Sequence, residues 1–152
     1  MKTYKIILML LVSSTIFFSS CKKDEETTDT NTNTNTTTTV TESITATVDG
    51  VSWSAASVYE SSYYGTITIN GTASDGSVIG FGMPSSATTG KHDITSMWDS
   101  YKVAYYNTAG DYEYTENGSI TITSITSDVV KGTFEAETSL GNITSGTFTA
   151  KL

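Results

Sequence analysis

The stretch Gly118-Ser119-Ile120-Thr121-Ile122-Thr123 alternates small polar and apolar residues without a break. A period of two puts the apolar set on one face of an extended chain and the polar set on the other. Such a segment is a strand with one buried face and one wet face. Threonine suits the wet side because its branched side chain favours extended backbone. Gly65-Thr66-Ile67-Thr68-Ile69 repeats the pattern. In Tyr101-Lys102-Val103-Ala104-Tyr105 the residues Tyr101, Val103 and Tyr105 share one face. No helical stripe longer than two turns follows residue 20.

Turn residues punctuate these segments. Asp49-Gly50 separates Ile44–Val48 from Val51–Ala55, and Ser74-Asp75-Gly76 separates Thr66–Ala73 from Val78–Met83. Thr108-Ala109-Gly110 follows Lys102–Tyr106, and Asn117-Gly118 reads as the turn after Asp111–Thr115. Ser127-Asp128 and Gly141-Asn142 precede Val129–Thr138 and Ile143–Lys151. Asp-Gly and Asn-Gly supply the positive φ angles that tight hairpins need. The fold class expected is all-β: an antiparallel meander of about nine or ten strands, forming a partly open barrel or a two-sheet sandwich. The longer connections around Ser57–Tyr64 and Pro84–Ser100 are where a Greek-key crossover would fit.

Gly132-Thr133-Phe134-Glu135-Ala136 returns fourteen residues later as Gly146-Thr147-Phe148-Thr149-Ala150. This echo predicts two neighbouring strands that send Phe134 and Phe148 into the core, with a glycine leaving room beside each ring. Trp53 is assigned to the same core.

The chain divides into three parts. Residues 1–20 carry Lys2 and Lys5, then a mostly apolar run from Ile6 to Phe18. That run is shorter than the ~20 residues that span a bilayer, so it reads as a signal peptide. Cys21 follows directly after Ser19 and Ser20 and resembles the lipidated cysteine of a bacterial lipobox. The resemblance implies cleavage before Cys21 and acylation of it. The run Lys23, Asp24, Glu25 and Glu26 resembles the surface-export signal of Bacteroidota lipoproteins, which implies the extracellular face of the outer membrane. Residues 21–40 hold that charged run and then Thr and Asn without an apolar side chain before Val40, and are expected to act as a disordered tether. Residues 41–152 form the single β domain.

Composition narrows the function classes. The chain has eight lysines, no arginine and 16 carboxylates, for a net charge of −8. A basic footprint for nucleic acid is missing from it. One cysteine and one histidine allow neither a disulfide framework nor a multi-cysteine zinc site, so no metal and no cofactor is expected. His92, in Gly90-Lys91-His92-Asp93-Ile94, would need a nucleophile beside it and a third group to orient it; Cys21 lies in the tether, no serine stands out, and His92 reads as a strand-end residue. Asp111 with Glu113, and Glu135 with Glu137, are spaced two apart, about 6.8 Å on a strand. That matches an inverting glycosidase pair, yet every i, i+2 acidic pair has it. With Tyr112, Tyr114, Phe134 and Ala136 expected to point inward, these acids are expected to face water. Asp49 and Asp75 each stand alone in their turns and do not build a calcium loop.

The aromatics carry most of the functional content. Trp98, Tyr106, Tyr63 and Tyr64 are the candidate ligand-binding residues, with Tyr59 close by in sequence to the tyrosine pair. Exposed aromatic faces beside Asn, Asp and Thr suit the C–H faces of sugar rings.

Val48-Asp49-Gly50-Val51-Ser52-Trp53-Ser54-Ala55, the Gly118–Thr123 strand and the two Gly-Thr-Phe strands resemble a family of small β-rich lipoproteins of the Bacteroidota whose function is unknown. The resemblance covers most of Ile44–Leu152 and rests on structural motifs. The expected protein is a surface-exposed outer-membrane lipoprotein, held by N-terminal acyl chains, acting as a non-catalytic ligand- or glycan-binding module. The alternative is a structural accessory lipoprotein with an envelope protein partner. A hydrolase using an acidic pair is the remote third reading.

Overall fold

The computed structural model describes residues 39–152. The signal segment 1–20, Cys21, the run Lys23, Asp24, Glu25 and Glu26, and the tether as far as residue 38 lie outside the described residues. The alternating segments form antiparallel strands in two sheets that do not close into a barrel. The strands are β1 (Ser43–Val48), β2 (Val51–Ser54), β3 (Ser57–Tyr63), β4 (Thr66–Thr72), β5 (Val78–Pro84) and β6 (Gly90–Ile94), then β7 (Lys102–Tyr106), β8 (Tyr112–Tyr114), β9 (Asn117–Ile125), β10 (Val129–Thr138) and β11 (Gly141–Lys151). The six-stranded sheet runs β2-β1-β11-β10-β9-β6, and the five-stranded sheet runs β3-β4-β5-β7-β8.

The all-β antiparallel expectation holds, and of its two closures the sandwich is the one formed. It is not a simple meander. The chain passes between sheets after β2, β5, β6 and β8, and the first strand pairs with the last. Ser57–Tyr63, read as a connection, is edge strand β3. Its outward tyrosines hide the usual alternation. The connection Pro84–Ser100 contains β6, which crosses over to pair with β9.

Two expected turns fall elsewhere. Asn117-Gly118 lies inside β9, paired with Glu137 and Ala136. A Cβ on Gly118 would lie 2.4 Å from the Glu135 carbonyl oxygen, so this glycine serves close strand approach. The β10–β11 hairpin turns at Ser139-Leu140, because Thr138 pairs with Gly141. The Asp49-Gly50 reading holds: both residues have positive φ, 49° and 81°, and link Val48 to its partner Val51.

The core lies between the sheets. Ile69, Ile79, Phe81, Met83 and Val103 from one sheet meet Ile44, Ile120, Ile122, Val130, Phe134 and Phe148 from the other. Phe81 stands edge-on to Phe134, with ring centroids 4.5 Å apart, and lies 5.1 Å from Phe148. The repeated Gly-Thr-Phe motif explains their fit. Gly132 pairs with Phe148 and Gly146 pairs with Phe134, so each ring lies over the opposite glycine. A Cβ on Gly146 would come within 2.5 Å of the Phe134 ring, and one on Gly132 within 2.7 Å of Phe148.

Polar contacts tie the two sheets together. Trp53 on β2 is buried and donates its indole N–H to Ser77 Oγ at 2.8 Å, in the turn before β5. Ser77 donates its hydroxyl and backbone N–H to Asp75 Oδ1, at 2.6 and 2.9 Å. Glu113 on β8 accepts the Ser139 backbone N–H at 2.7 Å and its hydroxyl, across to the other sheet. Thr115, buried where the chain crosses from β8 to β9, sets its hydroxyl 2.6 Å from the Asn117 carbonyl and 2.7 Å from that of Glu137.

Two stability outcomes follow. Gly132→Ala drives a methyl into the Thr121 carbonyl oxygen, 2.3 Å away, as well as Phe148. It should cost about 2 kcal/mol in urea denaturation, and a change too small to measure would refute the Phe–Gly fit. Ser77→Ala strands a buried indole N–H and should cost about 1–3 kcal/mol. The Ser77 hydroxyl, then its N–H, also hold the Asp75 carboxyl below its usual 3.8. A depressed folded pKa contributes stability above the unfolded pKa that is lost as pH falls through the folded one. The urea midpoint should therefore fall as pH drops below about 4, and fall less steeply in Ser77→Ala.

Candidate functional site

The sandwich leaves each sheet an outer face, and the two faces differ in chemistry. Outside the six-stranded sheet, Thr45, Thr147, Thr133, Thr121 and Lys91 stand in one transverse row across β1, β11, β10, β9 and β6. The Thr45 and Thr147 hydroxyls are 2.9 Å apart. This is the wet threonine face that the alternation predicts.

The outer face of the five-stranded sheet is built differently. The strand register aligns Tyr59, Asn70, Gly80, Ala104 and Tyr114 in one row. The row on one side is Ser57, Thr72, Val78, Tyr106 and Tyr112. On the other side come Ser61, Thr68, Gly82 and Lys102, then Tyr63, Thr66 and Pro84. Tyrosines therefore border both margins, β3 on one side and β7–β8 on the other, roughly 19 Å apart at four strand spacings. Between them Gly80, Gly82 and Ala104 leave the floor nearly free of side chains. The result is a groove of about 270 Å³, walled by Thr66, Thr68 and Asn70 on β4 and by Lys102, Tyr106 and Tyr114 on β7 and β8.

The β7–β8 wall is an organised aromatic cluster. Tyr106 and Tyr112 stack with centroids 4.9 Å apart and planes 15° off parallel, and Tyr114 meets Tyr112 edge-on at 5.8 Å. The Lys102 ammonium lies 5.8 Å from the Tyr114 ring centre, a cation–π arrangement. Burial, with Tyr114 and Tyr112 beside it, raises the Tyr106 phenol above its ordinary 10.0, so it stays a neutral hydroxyl near pH 7. At the other margin, Tyr64 sits in the β3–β4 turn with φ 45° and lies edge-on to Tyr63, centroids 4.2 Å apart.

The expected binding residues are thus partly gathered. Tyr63 and Tyr106 lie on the same outer face, and Tyr64 packs on Tyr63. Trp98 stands apart, 83% exposed in the loop between β6 and β7. That loop is held by Asp99, which accepts the backbone N–H groups of Thr95 and Ser96 at 2.7 and 3.0 Å. These bonds, Thr95 first, lower the Asp99 carboxyl, and the Lys102 charge adds to the effect. Met97 of the same loop borders a small depression with Tyr112 and Tyr114.

Tyr112 and Tyr114 correct the sequence reading: they point outward, at 56% and 36% exposure, and Glu113 turns inward to Ser139. The signal for this was present. A connection of five residues sets Tyr112 directly opposite Tyr106, and Tyr106 falls on the face opposite Tyr101, Val103 and Tyr105.

The other titratable candidates have structural partners. Asp111 accepts the Asn107 side-chain amide at 3.3 Å in the β7–β8 turn. Glu135 and Glu137 face outward as expected, on the threonine side. They accept hydrogen bonds from Ser119 Oγ at 3.1 Å and Asn117 Nδ2 at 2.6 Å. His92 stacks on Tyr101 at 3.8 Å, with Nε2 2.9 Å from the Thr88 carbonyl oxygen.

The groove floor can be tested without a ligand. An added Cβ on Gly82 meets only the Lys102 stem, at 3.7 Å or more, whereas one on Gly80 lies 2.5 Å from Asn70 Oδ1. Gly82→Ala should leave stability within about 0.5 kcal/mol, and Gly80→Ala should cost more than Gly82→Ala because the Asn70 amide must turn aside. The reverse ranking in thermal melts would contradict the groove geometry.

Residues 40–150 match the family described as a domain of unknown function, DUF6252. No curated protein and no solved structure matches the chain.

Proposed function

The chain belongs to the DUF6252 family, and from its own geometry we propose that it is a non-catalytic glycan-binding module of a lipid-anchored outer-membrane protein, displayed on the extracellular face. The observation that carries the binding reading is the outer face of the five-stranded sheet. Tyr59, Tyr63, Tyr64 and Tyr112 expose large rings on the water side of a sheet whose core is already filled from the opposite face. Such rings do not complete the core. A broad, shallow, aromatic-bordered groove with hydroxyl and amide groups from Thr66, Thr68 and Asn70 fits a sugar chain. Ring faces stack on sugar C–H groups, and the polar wall exchanges hydrogen bonds with hydroxyls. Small-molecule sites are usually deeper and more enclosed.

The anchoring part rests on sequence. Cys21 after a short apolar segment is the proposed acylation point, and Lys23, Asp24, Glu25 and Glu26 the proposed export signal, as in the Bacteroidota lipoproteins that the chain resembles. Two or more acyl chains at ~0.8 kcal/mol per buried methylene hold a domain stably, where one chain does not.

Two experiments test these parts separately. On a glycan array, the domain with Tyr106→Ala and Tyr114→Ala together should lose at least about tenfold in affinity, or 1.4 kcal/mol, while its circular dichroism stays native. Unchanged binding would remove the proposed site. Separately, Cys21→Ala should move the protein from the membrane fraction to the soluble fraction, and continued retention would contradict the lipid anchor.

A further inference from the structure

Charge is unevenly placed on this domain. Residues 41–152 hold 12 carboxylates and four lysines. Lys91 is paired with Asp93 at 3.1 Å and Lys151 with Glu42 at 3.9 Å. Lys131 lies on the threonine face, two residues along β10 from Thr133. Lys102 is different. On the tyrosine face, among all the aligned outward residues of the five strands, it alone is charged. No carboxylate among the described residues lies within 4.0 Å of its ammonium. Asp99 is close enough to feel its charge, but that carboxylate is already engaged by Thr95 and Ser96. Glu116, two residues beyond Tyr114, borders the neighbouring depression with Met97.

The lysine is also positioned. Its stem runs along Gly82, with Cβ, Cγ and Cδ all within 3.9 Å of where a Gly82 Cβ would stand. Its ammonium is directed to the Tyr114 ring at the groove wall. A glycine under the stem and an aromatic ring beside the head confine a side chain that is otherwise free to roam. An acidic protein that clears acids from one face and leaves one cation there selects for anions on that face.

We infer that the groove takes an acidic glycan, and that Lys102 contacts the negative group of the sugar seated against Tyr114. The inference rests on the reading of this face as a glycan site, and adds the charge class of the ligand. Two chemistries supply such a charge, a uronate carboxylate and a sulfate ester. A charge-assisted hydrogen bond to the ammonium serves either one.

The test uses paired oligosaccharides on one array: uronate oligomers with their carboxyl-reduced neutral counterparts, and sulfated oligomers with their desulfated counterparts. The folded domain should prefer the acidic member of at least one pair by about tenfold at low salt, a preference that shrinks as salt screens it. Which pair shows the preference distinguishes carboxylate from sulfate. Lys102→Gln should bring the ratio close to one, and Lys131→Gln should leave the ratio unchanged. Equal binding of acidic and neutral members by the unaltered domain would overturn the inference while leaving the glycan site in place. Preference retained in Lys102→Gln would overturn the role of the lysine. Binding to no member would count against the glycan reading itself, and with it the inference.

Discussion

The reciprocal seating of Phe134 over Gly146 and Phe148 over Gly132 is the constraint on which the rest of the sandwich depends. Two rings on adjacent strands of one sheet can both point inward and both meet Phe81 of the other sheet only if the strands leave space beside them. A methyl at either glycine would come within 2.7 Å of a ring atom. The domain has few leucines, so these three rings carry much of the inter-sheet volume. Their positions fix the β10–β11 register, and that register in turn places β9 on one side and β1 on the other.

Once the core is confined between the sheets, the outer faces are released for other uses. One is a hydroxyl surface, where Thr45, Thr147, Thr133 and Thr121 stand side by side. The other exposes tyrosines at its margins and a nearly bare floor at Gly80, Gly82 and Ala104 between them. That contrast cannot arise from a shortage of polar residues, since the same strands supply Thr66, Thr68 and Thr72 next to the glycines. The contacts Trp53–Ser77 and Glu113–Ser139 span the two sheets.

Much of this was readable from the chain. Gly118–Thr123, Thr66–Ala73 and the Gly-Thr-Phe echo alternate cleanly because each has one face against the core. Strands that deviate from this rule were the ones missed. β3 places tyrosines on its water side, so Ser57–Tyr63 lacks the apolar–polar alternation. β6, Gly-Lys-His-Asp-Ile, offers only Ile94 as a fully buried apolar residue. In β8 a rule that aromatics face inward gave the wrong parity, because the inward position is taken by Glu113 bonded to Ser139. Asn117-Gly118 looked like a turn because local dihedral preference says nothing about a neighbouring strand that needs room. The candidate site was half visible for the same reason. Tyr63 and Tyr106 could be named as binding candidates, but that they share a face with Tyr59 and Tyr114 is a property of sheet order, which no local pattern encodes.

The pairing of β1 with β11 has a temporal consequence. Ser43 aligns with Thr149, and Glu42 accepts the Lys151 backbone N–H at 3.1 Å, more than a hundred residues along the chain. The larger sheet has β11 in its middle, between β1 and β10, so it cannot be assembled from its N-terminal part alone. A chain emerging from a ribosome has only β2 to pair with β1 until β11 is made, and an isolated hairpin is marginal by itself. The loop closed by this pairing is long, and its entropy must be met before the contact returns any stability. Completion of the larger sheet is thereby deferred until β11 is delivered, whereas the five-stranded sheet needs no strand beyond β8.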